Sequence, residues 1–161
     1  IHTIGQLWDI ETVALRIFNA YGPRQSLPVS HAPVIPRFLQ QALTGGSVVL
    51  YGSGLQTRDF VYVLDVVAAL VSAATASAVN RQVINVGSGV ETSLTQLVSQ
   101  IEQGSGKKIN LLKNAQKGGG VPRLVADISR AQQLLGFRPL VSLADGLRRI
   151  LQEDGRFQTL T

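Results

Sequence analysis

An arginine follows a glycine-containing turn at the start of an apolar strand. Arg58 lies in the stretch YGSGLQTRDFVYVLD (51–65), just after the Gly-Ser-Gly turn at 52–54. Glycine allows positive φ and a close approach of the backbone to a ligand. A guanidinium presented there can hold a phosphate through two hydrogen bonds. The alternative is an ion pair with Asp59 or Asp65 that only stabilises the turn, and the residues alone do not decide between the two.

Three more segments could contact a ligand, and each also has a purely structural interpretation. Asn19 follows a buried strand at its C-terminal end, where open α/β sheets bind ligands, but its amide could instead satisfy the turn at 21–23. Tyr51 could stack on a flat ring or simply end its strand. The three glycines at 118–120 could wrap around a ligand or form a surface loop. None of these positions is decisive alone.

The motifs that would bind a dinucleotide or carry out catalysis are absent. The turn at 87–89 follows a strand, but residue 92 is Thr, so the third glycine of G-x-G-x-x-G is missing. The sequence also contains no G-x-S-x-G or Walker motif, and the acidic residues form no obvious carboxylate pair. The Tyr-x-x-x-Lys pattern fails at all three tyrosines, because the residues four positions on are Gln25, Leu55 and Val66.

Composition narrows the classes of partner. The 161 residues suffice for one domain, predicted over 1–161, and the net charge of +5 suits an anionic ligand. The basic residues are scattered, so we predict no nucleic-acid partner, and no apolar run is long enough to cross a membrane. Without cysteine and with only two histidines, no zinc site is expected, and a cytoplasmic location fits. Because the chain lacks Met and begins Ile-His-Thr-Ile, we expect it to be a fragment.

Strand and helix patterns alternate along the chain, which predicts an α/β fold with a partial parallel sheet. The tail after the last helix is expected to be frayed. Strands are predicted at 12–18, 47–51, 58–63, 82–86 and 109–112, and helices at 37–43, from Asp65 to about 80, from Thr92 or Ser93 to 103, from Asp127 to 135, and from Ser142 to 152.

Five motifs that occur in order resemble the C-terminal half of the NAD-dependent nucleotide-sugar epimerase/dehydratase family, the extended short-chain dehydrogenases. The resemblance covers residues 10 to 152. The motifs are ALRIFNAYGPRQ (14–25), VIPRFLQQALTGG (34–46), VLYGSGLQTRDFVYVLDVVAAL (49–70), INVGSG (84–89) and ADISRAQQLLGFRP (126–139).

The resemblance implies a partial Rossmann-type parallel sheet with a small substrate-binding lobe, without the N-terminal dinucleotide-binding half. It also implies that Asp59 orients the Arg58 guanidinium. Two positions depart from the family pattern, since Lys117 and Gly120 stand where an arginine and an aspartate are usual. The substrate-binding residues that it implies are Asn19, Val34, Tyr51, Arg58 and Lys117.

A function in nucleotide-diphosphate-sugar recognition follows from the same resemblance. NAD would be the cofactor of the intact family member, whereas this chain alone would bind none and would not be catalytic. The alternative is a non-catalytic interaction or structural module that retains the fold. Unpaired strands of the partial sheet would lead to self-association. The expected protein partner is therefore a second copy of the chain, in a homo-oligomer, or else the missing N-terminal half.

Overall fold

The computed structural model describes residues 1–27, 33–114 and 120–158, and it divides the chain into two compact units. The first unit contains Ile1–Ala20, Asp59–Val90 and Val125–Val141. The second unit contains Tyr21–Arg58, Glu91–Leu124 and Ser142–Thr161. Both units are therefore built from segments that are distant in sequence. The prediction of a single domain over 1–161 stays a prediction.

Strands and helices alternate along the chain as predicted. The strands are β1 (Val13–Ile17), β2 (Asn19–Tyr21), β3 (Ser47–Tyr51), β4 (Thr57–Arg58), β5 (Phe60–Tyr62), β6 (Gln82–Val86), β7 (Thr92–Ser93), β8 (Asn110–Asn114) and β9 (Arg123–Leu124). The helices are α1 (His2–Leu7), α2 (Val34–Leu43), α3 (Val63–Thr75), α4 (Leu94–Ser105), α5 (Ser129–Leu135), α6 (Leu143–Glu153) and α7 (Gly155–Gln158).

Small sheets, two of them parallel and one mixed, confirm the predicted α/β class with a partial Rossmann-type sheet. In the first unit β1 pairs in parallel with β6, and in the second unit β3 pairs in parallel with β8. Strand β4 lies at the centre of a three-stranded sheet, antiparallel to β7 and parallel to β9. A further pair joins β2 and β5. Parallel pairs need long crossover connections, which explains why each unit is discontinuous in sequence.

Apolar side chains at strand and helix spacing form the core of each unit. Helix α3 places Val66 and Ala69 against Ile84 and Val86 of β6 in the first unit. In the second unit α2 packs on β3 and α4, and α4 packs on α6. The most deeply buried apolar side chains of the second unit are Ile35, Leu39, Val48, Leu50, Leu97, Ile101, Leu147, Ile150 and Phe157.

Local capping signals predicted two helix starts well. Ser93, one of the two predicted caps, accepts the backbone N–H of Gln96, and the Gln96 side chain accepts the N–H of Ser93 in return. This reciprocal capping box satisfies two donors that the helix itself cannot satisfy. Ser142 accepts the backbone N–H of Asp145 at the start of α6 in the same manner. Asp127 lies one residue further out, and its carboxylate accepts the N–H of Ser129, the first residue of α5.

The predicted start of α3 at Asp65 was wrong. The helix begins at Val63, so Asp65 lies in its first turn rather than at its cap. The Asp65 carboxylate is buried and accepts the backbone N–H groups of Leu140 and Val141, at 3.1 and 3.2 Å. Asp65 therefore accepts hydrogen bonds from a segment 75 residues away instead of from the N–H groups at the start of its own helix.

Two further expectations are corrected. The predicted strand at 58–63 is two short strands, β4 and β5, separated by Asp59. The tail is not frayed up to residue 158, because α7 buries Phe157, which is 1 % exposed. Residues 159–161 lie outside the described part of the chain. In the described part of the chain, none of the helices combines the length and the hydrophobicity that a membrane span requires.

Candidate functional site

Arg58 lies on the central strand of the three-stranded sheet in the second unit. It pairs with Thr92 of β7 on one side and with Leu124 of β9 on the other. A central strand is held by ladder hydrogen bonds at both edges, so the backbone that carries Arg58 is fixed. The side chain itself is half-buried.

The Arg58 guanidinium is held by backbone carbonyls. Its Nη1 donates to the carbonyl of Thr57 at 2.7 Å and to the carbonyl of Val121 at 2.8 Å. Among residues 1–27, 33–114 and 120–158, Arg58 forms no salt bridge, and neither Nε nor Nη2 donates a hydrogen bond. The ion-pair interpretation is therefore not what the structure shows. Carbonyl groups orient the guanidinium without neutralising it, which leaves its charge for an anion.

Two glycines precede this arginine in the chain, and a third lies beside its guanidinium. Gly52 and Gly54 have φ values of 72° and 77°, as predicted for a turn that requires glycine. A Cβ at Gly54 would lie 2.8 Å from Leu50 Cδ1, so a side chain there would clash. Gly120 has a φ of 73°, and a Cβ there would lie 3.9 Å from Arg58 Nη2. A side chain at position 120 would therefore begin within van der Waals distance of this guanidinium nitrogen.

A second arginine in the same sheet is, by contrast, paired. Arg123 Nε donates to Glu91 Oε2 at 3.0 Å, and Thr57 Oγ1 donates to Glu91 Oε1 at 2.8 Å. These hydrogen bonds, from Thr57 first and then from Arg123, lower the pKa of Glu91. Thr57 and Arg123 are register partners, so they share the face opposite to Arg58. Arg123 thus offers a natural control for Arg58.

Asn19 belongs to the first unit, and its amide is already oriented. Asn19 Nδ2 donates to the carbonyl of Asp59 at 2.8 Å, and its backbone N–H donates to the same oxygen at 3.2 Å. The predicted alternative was a hydrogen bond from this amide to the turn at 21–23, but the amide donates to Asp59 instead. Nδ2 keeps a second N–H, and Oδ1 accepts no hydrogen bond from the described residues.

The expectation that Asp59 orients the Arg58 guanidinium was wrong. The Asp59 carboxylate is fully buried and accepts hydrogen bonds from Ser88, Gly89 and Ala126. Adjacent residues of an extended chain project to opposite sides, so the side chain of Asp59 is directed to a different neighbourhood from that of Arg58.

The remaining predicted residues are placed as follows. Tyr51 ends β3 and is 39 % exposed, and its stacking on a ring stays a prediction. Val34 is half-buried and begins α2. Lys117 lies outside the described residues. Val34, Tyr51 and Arg58 belong to the second unit, whereas Asn19 belongs to the first.

One supporting residue was missed. Gln56 is buried, and its side-chain Nε2 donates to the backbone carbonyl of Tyr51 at 2.9 Å. The backbone carbonyl of Gln56 accepts the N–H of Leu94. It therefore fixes the backbone on which Tyr51 lies. The only local signal is a polar residue directly after the glycine turn, and that position alone does not predict burial.

The glycine turn at 87–89 does not fit the pyrophosphate of NAD. A phosphate-binding turn must offer free backbone N–H groups, but those of Ser88 and Gly89 donate to Asp59. A Cβ at Gly87 would lie 2.6 Å from Asp59 Oδ2, so the carboxylate fills the space beside the turn. The described residues also contain no cluster of acidic or histidine side chains that could hold a metal ion.

Known proteins resemble this chain in sequence and in structure. The UDP-glucose 4-epimerase of Mycolicibacterium smegmatis is 36% identical over 146 residues, which are 91% of this chain and 46% of that protein. The crystal structure of a UDP-glucose 4-epimerase with UDP-glucose from Thermotoga maritima superposes with a TM-score of 0.88 at 31% identity, covering 99% of this chain and 50% of that one.

A third relative is the UDP-glucuronic acid 4-epimerase of Bacillus cereus, in complex with UDP-glucuronic acid and NAD. Its TM-score is 0.85 at 32% identity, over 99% of this chain and 49% of that one. The chain thus spans about half the length of the relatives that it matches. The family model described as the NAD dependent epimerase/dehydratase family matches residues 1–87. The five motifs predicted this relationship correctly, and the chain belongs to the NAD-dependent epimerase/dehydratase family.

Proposed function

We propose that this chain recognises a nucleotide diphosphate sugar. The observation that carries the proposal is the Arg58 guanidinium, which two carbonyls orient and no described carboxylate neutralises. Such a fork suits the paired oxygens of a phosphoryl group. In this proposal Arg58 and Lys117 meet the diphosphate, Asn19 meets the diphosphate or the sugar, and Val34 and Tyr51 lie against the base.

The ligands of two similar structures support this substrate class. One relative was solved with UDP-glucose and another with UDP-glucuronic acid and NAD. Both are similar to this chain over 99% of its length. A UDP-sugar is therefore the first ligand to test. The similarity does not extend to the choice of sugar, because the chain spans about half of each of those proteins.

The proposed role is recognition rather than catalysis. The chain contains no Tyr-x-x-x-Lys sequence to supply a proton-transferring tyrosine, and its glycine turn at 87–89 is occupied by Asp59. We propose that the intact protein uses NAD as an isomerase or lyase of nucleotide sugars, and that this chain supplies its C-terminal, substrate-binding part. The single domain and the cytoplasmic location stay predictions.

Calorimetry with UDP, dTDP, GDP and UDP-glucose tests this proposal. We expect UDP or UDP-glucose to bind, and Arg58→Ala to weaken binding at least tenfold, because it removes a charge-assisted hydrogen bond to phosphate. Arg58→Lys keeps the charge but loses the fork, so an intermediate affinity is expected. Arg123→Ala is the matched control, since it removes an arginine that already has a carboxylate partner, and it should leave binding unchanged.

Two outcomes would contradict the proposal. If none of the four nucleotides binds the parent chain, nucleotide recognition fails and the interaction-module alternative is favoured. If Arg58→Ala and Arg123→Ala weaken binding equally, the effect reflects net charge rather than a phosphate contact at Arg58. Folding must be compared in parallel, and we expect Arg58→Ala to change the free energy of unfolding by no more than about 1 kcal/mol.

We also propose that the chain associates with itself at the free edge of β1. In the two-stranded sheet of the first unit, Arg130 Nη1 donates to the Val83 carbonyl of β6 at 3.1 Å, so one carbonyl of that strand already has a side-chain donor. Strand β1 has β6 as its only neighbouring strand among the described residues. An exposed strand edge is a template for pairing with another chain, and Ile17 on β1 is 44 % exposed.

A further inference from the structure

Asp59 is a fully buried carboxylate that joins three segments of the first unit. Its Oδ1 accepts the backbone N–H and the hydroxyl of Ser88, both at 2.7 Å. Its Oδ2 accepts the N–H of Gly89 at 2.9 Å and the N–H of Ala126 at 3.1 Å. A carboxylate without solvent is costly to bury unless donors compensate for it, and these four donors do so at 0 % exposure.

The turn that receives this carboxylate is shaped to fit it. A Cβ at Gly87 would lie 2.6 Å from Asp59 Oδ2 and 2.5 Å from Ala126 Cβ. Only glycine at this position therefore lets the turn close around the carboxylate. The four hydrogen bonds and the close approach together fix the position of residue 59.

The main chain of the same residue holds Asn19. The Asp59 carbonyl accepts both the backbone N–H and the Nδ2 of Asn19. The first of these bonds could form with almost any residue at position 19, but the second requires an amide side chain. It sets the rotation of that amide and leaves one N–H and Oδ1 available to a ligand.

We propose that Asp59 is a positioning residue for substrate binding. Its carboxylate fixes the backbone at residue 59, and that backbone holds the Asn19 amide ready for the nucleotide diphosphate sugar. The inference rests on the proposed function, because it gives Asn19 a ligand. It separates the two neighbours Arg58 and Asp59 into a residue that contacts the ligand and a residue that acts through Asn19.

A double-mutant cycle with UDP-glucose tests the proposal by calorimetry. Asp59→Asn keeps the shape of the side chain but places an amide group against N–H donors. We expect Asp59→Asn and Asn19→Ala each to weaken binding about tenfold, the worth of one hydrogen bond to a charged group. The double variant should bind no more than about twofold more weakly than Asn19→Ala alone, because both changes remove the same contact.

The matched control is Asp65→Asn. Asp65 is also a buried carboxylate of the first unit, and it accepts two backbone N–H groups, but from Leu140 and Val141 rather than from the turn at 87–89. We expect this variant to lower the melting temperature without changing the affinity for UDP-glucose. Equal losses of affinity in Asp59→Asn and Asp65→Asn would show a general effect of stability and would overturn the proposal. So would single-variant losses that multiply to about a hundredfold in the double variant.

A measurement without ligand keeps the proposal separate from the proposed function. In a ¹⁵N-labelled chain the side-chain amide pair of Asn19 is identified by its disappearance in Asn19→Ala. We expect the chemical shifts of this amide pair to change in Asp59→Asn and to stay unchanged in Asp65→Asn. If the parent binds no nucleotide, the proposed function fails, but the amide signal still reports whether Asp59 positions Asn19.

Ser88→Ala is the second variant in case Asp59→Asn does not fold. It removes the hydroxyl and leaves the three backbone donors to Asp59 in place. We expect a smaller shift of the Asn19 amide pair and a loss of affinity of about threefold, within the range of a single neutral hydrogen bond. The proposal is overturned if Asp59→Asn folds and the Asn19 amide signals do not shift. If Asp59→Asn does not fold, unshifted Asn19 amide signals in Ser88→Ala overturn it instead.

Discussion

Lowering the pH should destabilise the second unit through Asp154. The Asp154 side chain is 3% exposed and accepts hydrogen bonds from Arg156 Nη2 at 2.7 Å, Arg156 Nε at 2.9 Å and the backbone N–H of Arg24 at 2.6 Å. The Arg156 side chain is the main cause of a pKa that is lowered from 3.8 to about 2, and the backbone N–H groups of Arg24 and Arg156 add to it.

The sign and the size of the effect follow from this pKa. Because the folded pKa is below the unfolded value, the unfolded chain binds the proton more readily, and folding stability falls as pH falls. The contribution is complete above about pH 4 and is lost as the pH decreases to about 2, the folded pKa of Asp154. At about 1.4 kcal/mol for each pKa unit, this contribution is about 2 kcal/mol.

Urea unfolding of the parent and of Asp154→Asn between pH 2 and pH 6 measures this contribution. We expect the variant to be less stable than the parent by about 2 kcal/mol or more above pH 4, with the difference shrinking as the pH falls through the window. Asp145→Asn is the control, because Asp145 pairs with Arg148 at an exposed site and should contribute little. A stability difference between parent and Asp154→Asn that does not change with pH would show that the ionised Asp154 carboxylate is not what stabilises the fold.

Three other predictions concern packing, capping and association. Gly146→Ala should lower the free energy of unfolding by about 1–3 kcal/mol, since its Cβ would lie 2.7 Å from Tyr21 Cε2. Gly104→Ala in α4 has room for the added methyl group and should stabilise the chain by up to about 1 kcal/mol. Equal free energies of unfolding for the two variants in chemical denaturation would contradict this prediction. Ser93→Ala should cost about 1 kcal/mol through loss of the capping box, and an unchanged midpoint would argue against it. In light scattering the parent should associate with rising concentration, and Ile17→Lys should reduce this by charging the β1 edge, whereas a parent that stays monomeric would contradict the proposed association.

The elements that the sequence predicted best are those set by neighbouring residues. The strands at 47–51 and 82–86 were predicted with their observed bounds, because β-branched residues lie between clear turn signals there. The cap at Ser142 was also predicted correctly, since capping needs only the first turn of the helix. Asp65 was misjudged because its partners lie about 75 residues further along the chain, and no local pattern contains that information.

The same distinction applies to the candidate site. The φ values of Gly52 and Gly54 were predictable from residue type and turn position. The partners of Arg58 and Asp59 were not, because the first binds the carbonyl of Val121 and the second binds the turn at 87–89. Two adjacent charges of opposite sign suggest an ion pair in sequence, but strand geometry sends them in opposite directions.

A crystal structure of the chain with UDP-glucose would show whether Arg58 contacts the diphosphate. We expect Nε or Nη2 of Arg58 to lie within about 3 Å of a phosphate oxygen, while Nη1 keeps its hydrogen bonds to the carbonyls of Thr57 and Val121. A bound nucleotide whose phosphates lie away from Arg58, with this guanidinium still contacting only those two carbonyls, would contradict it.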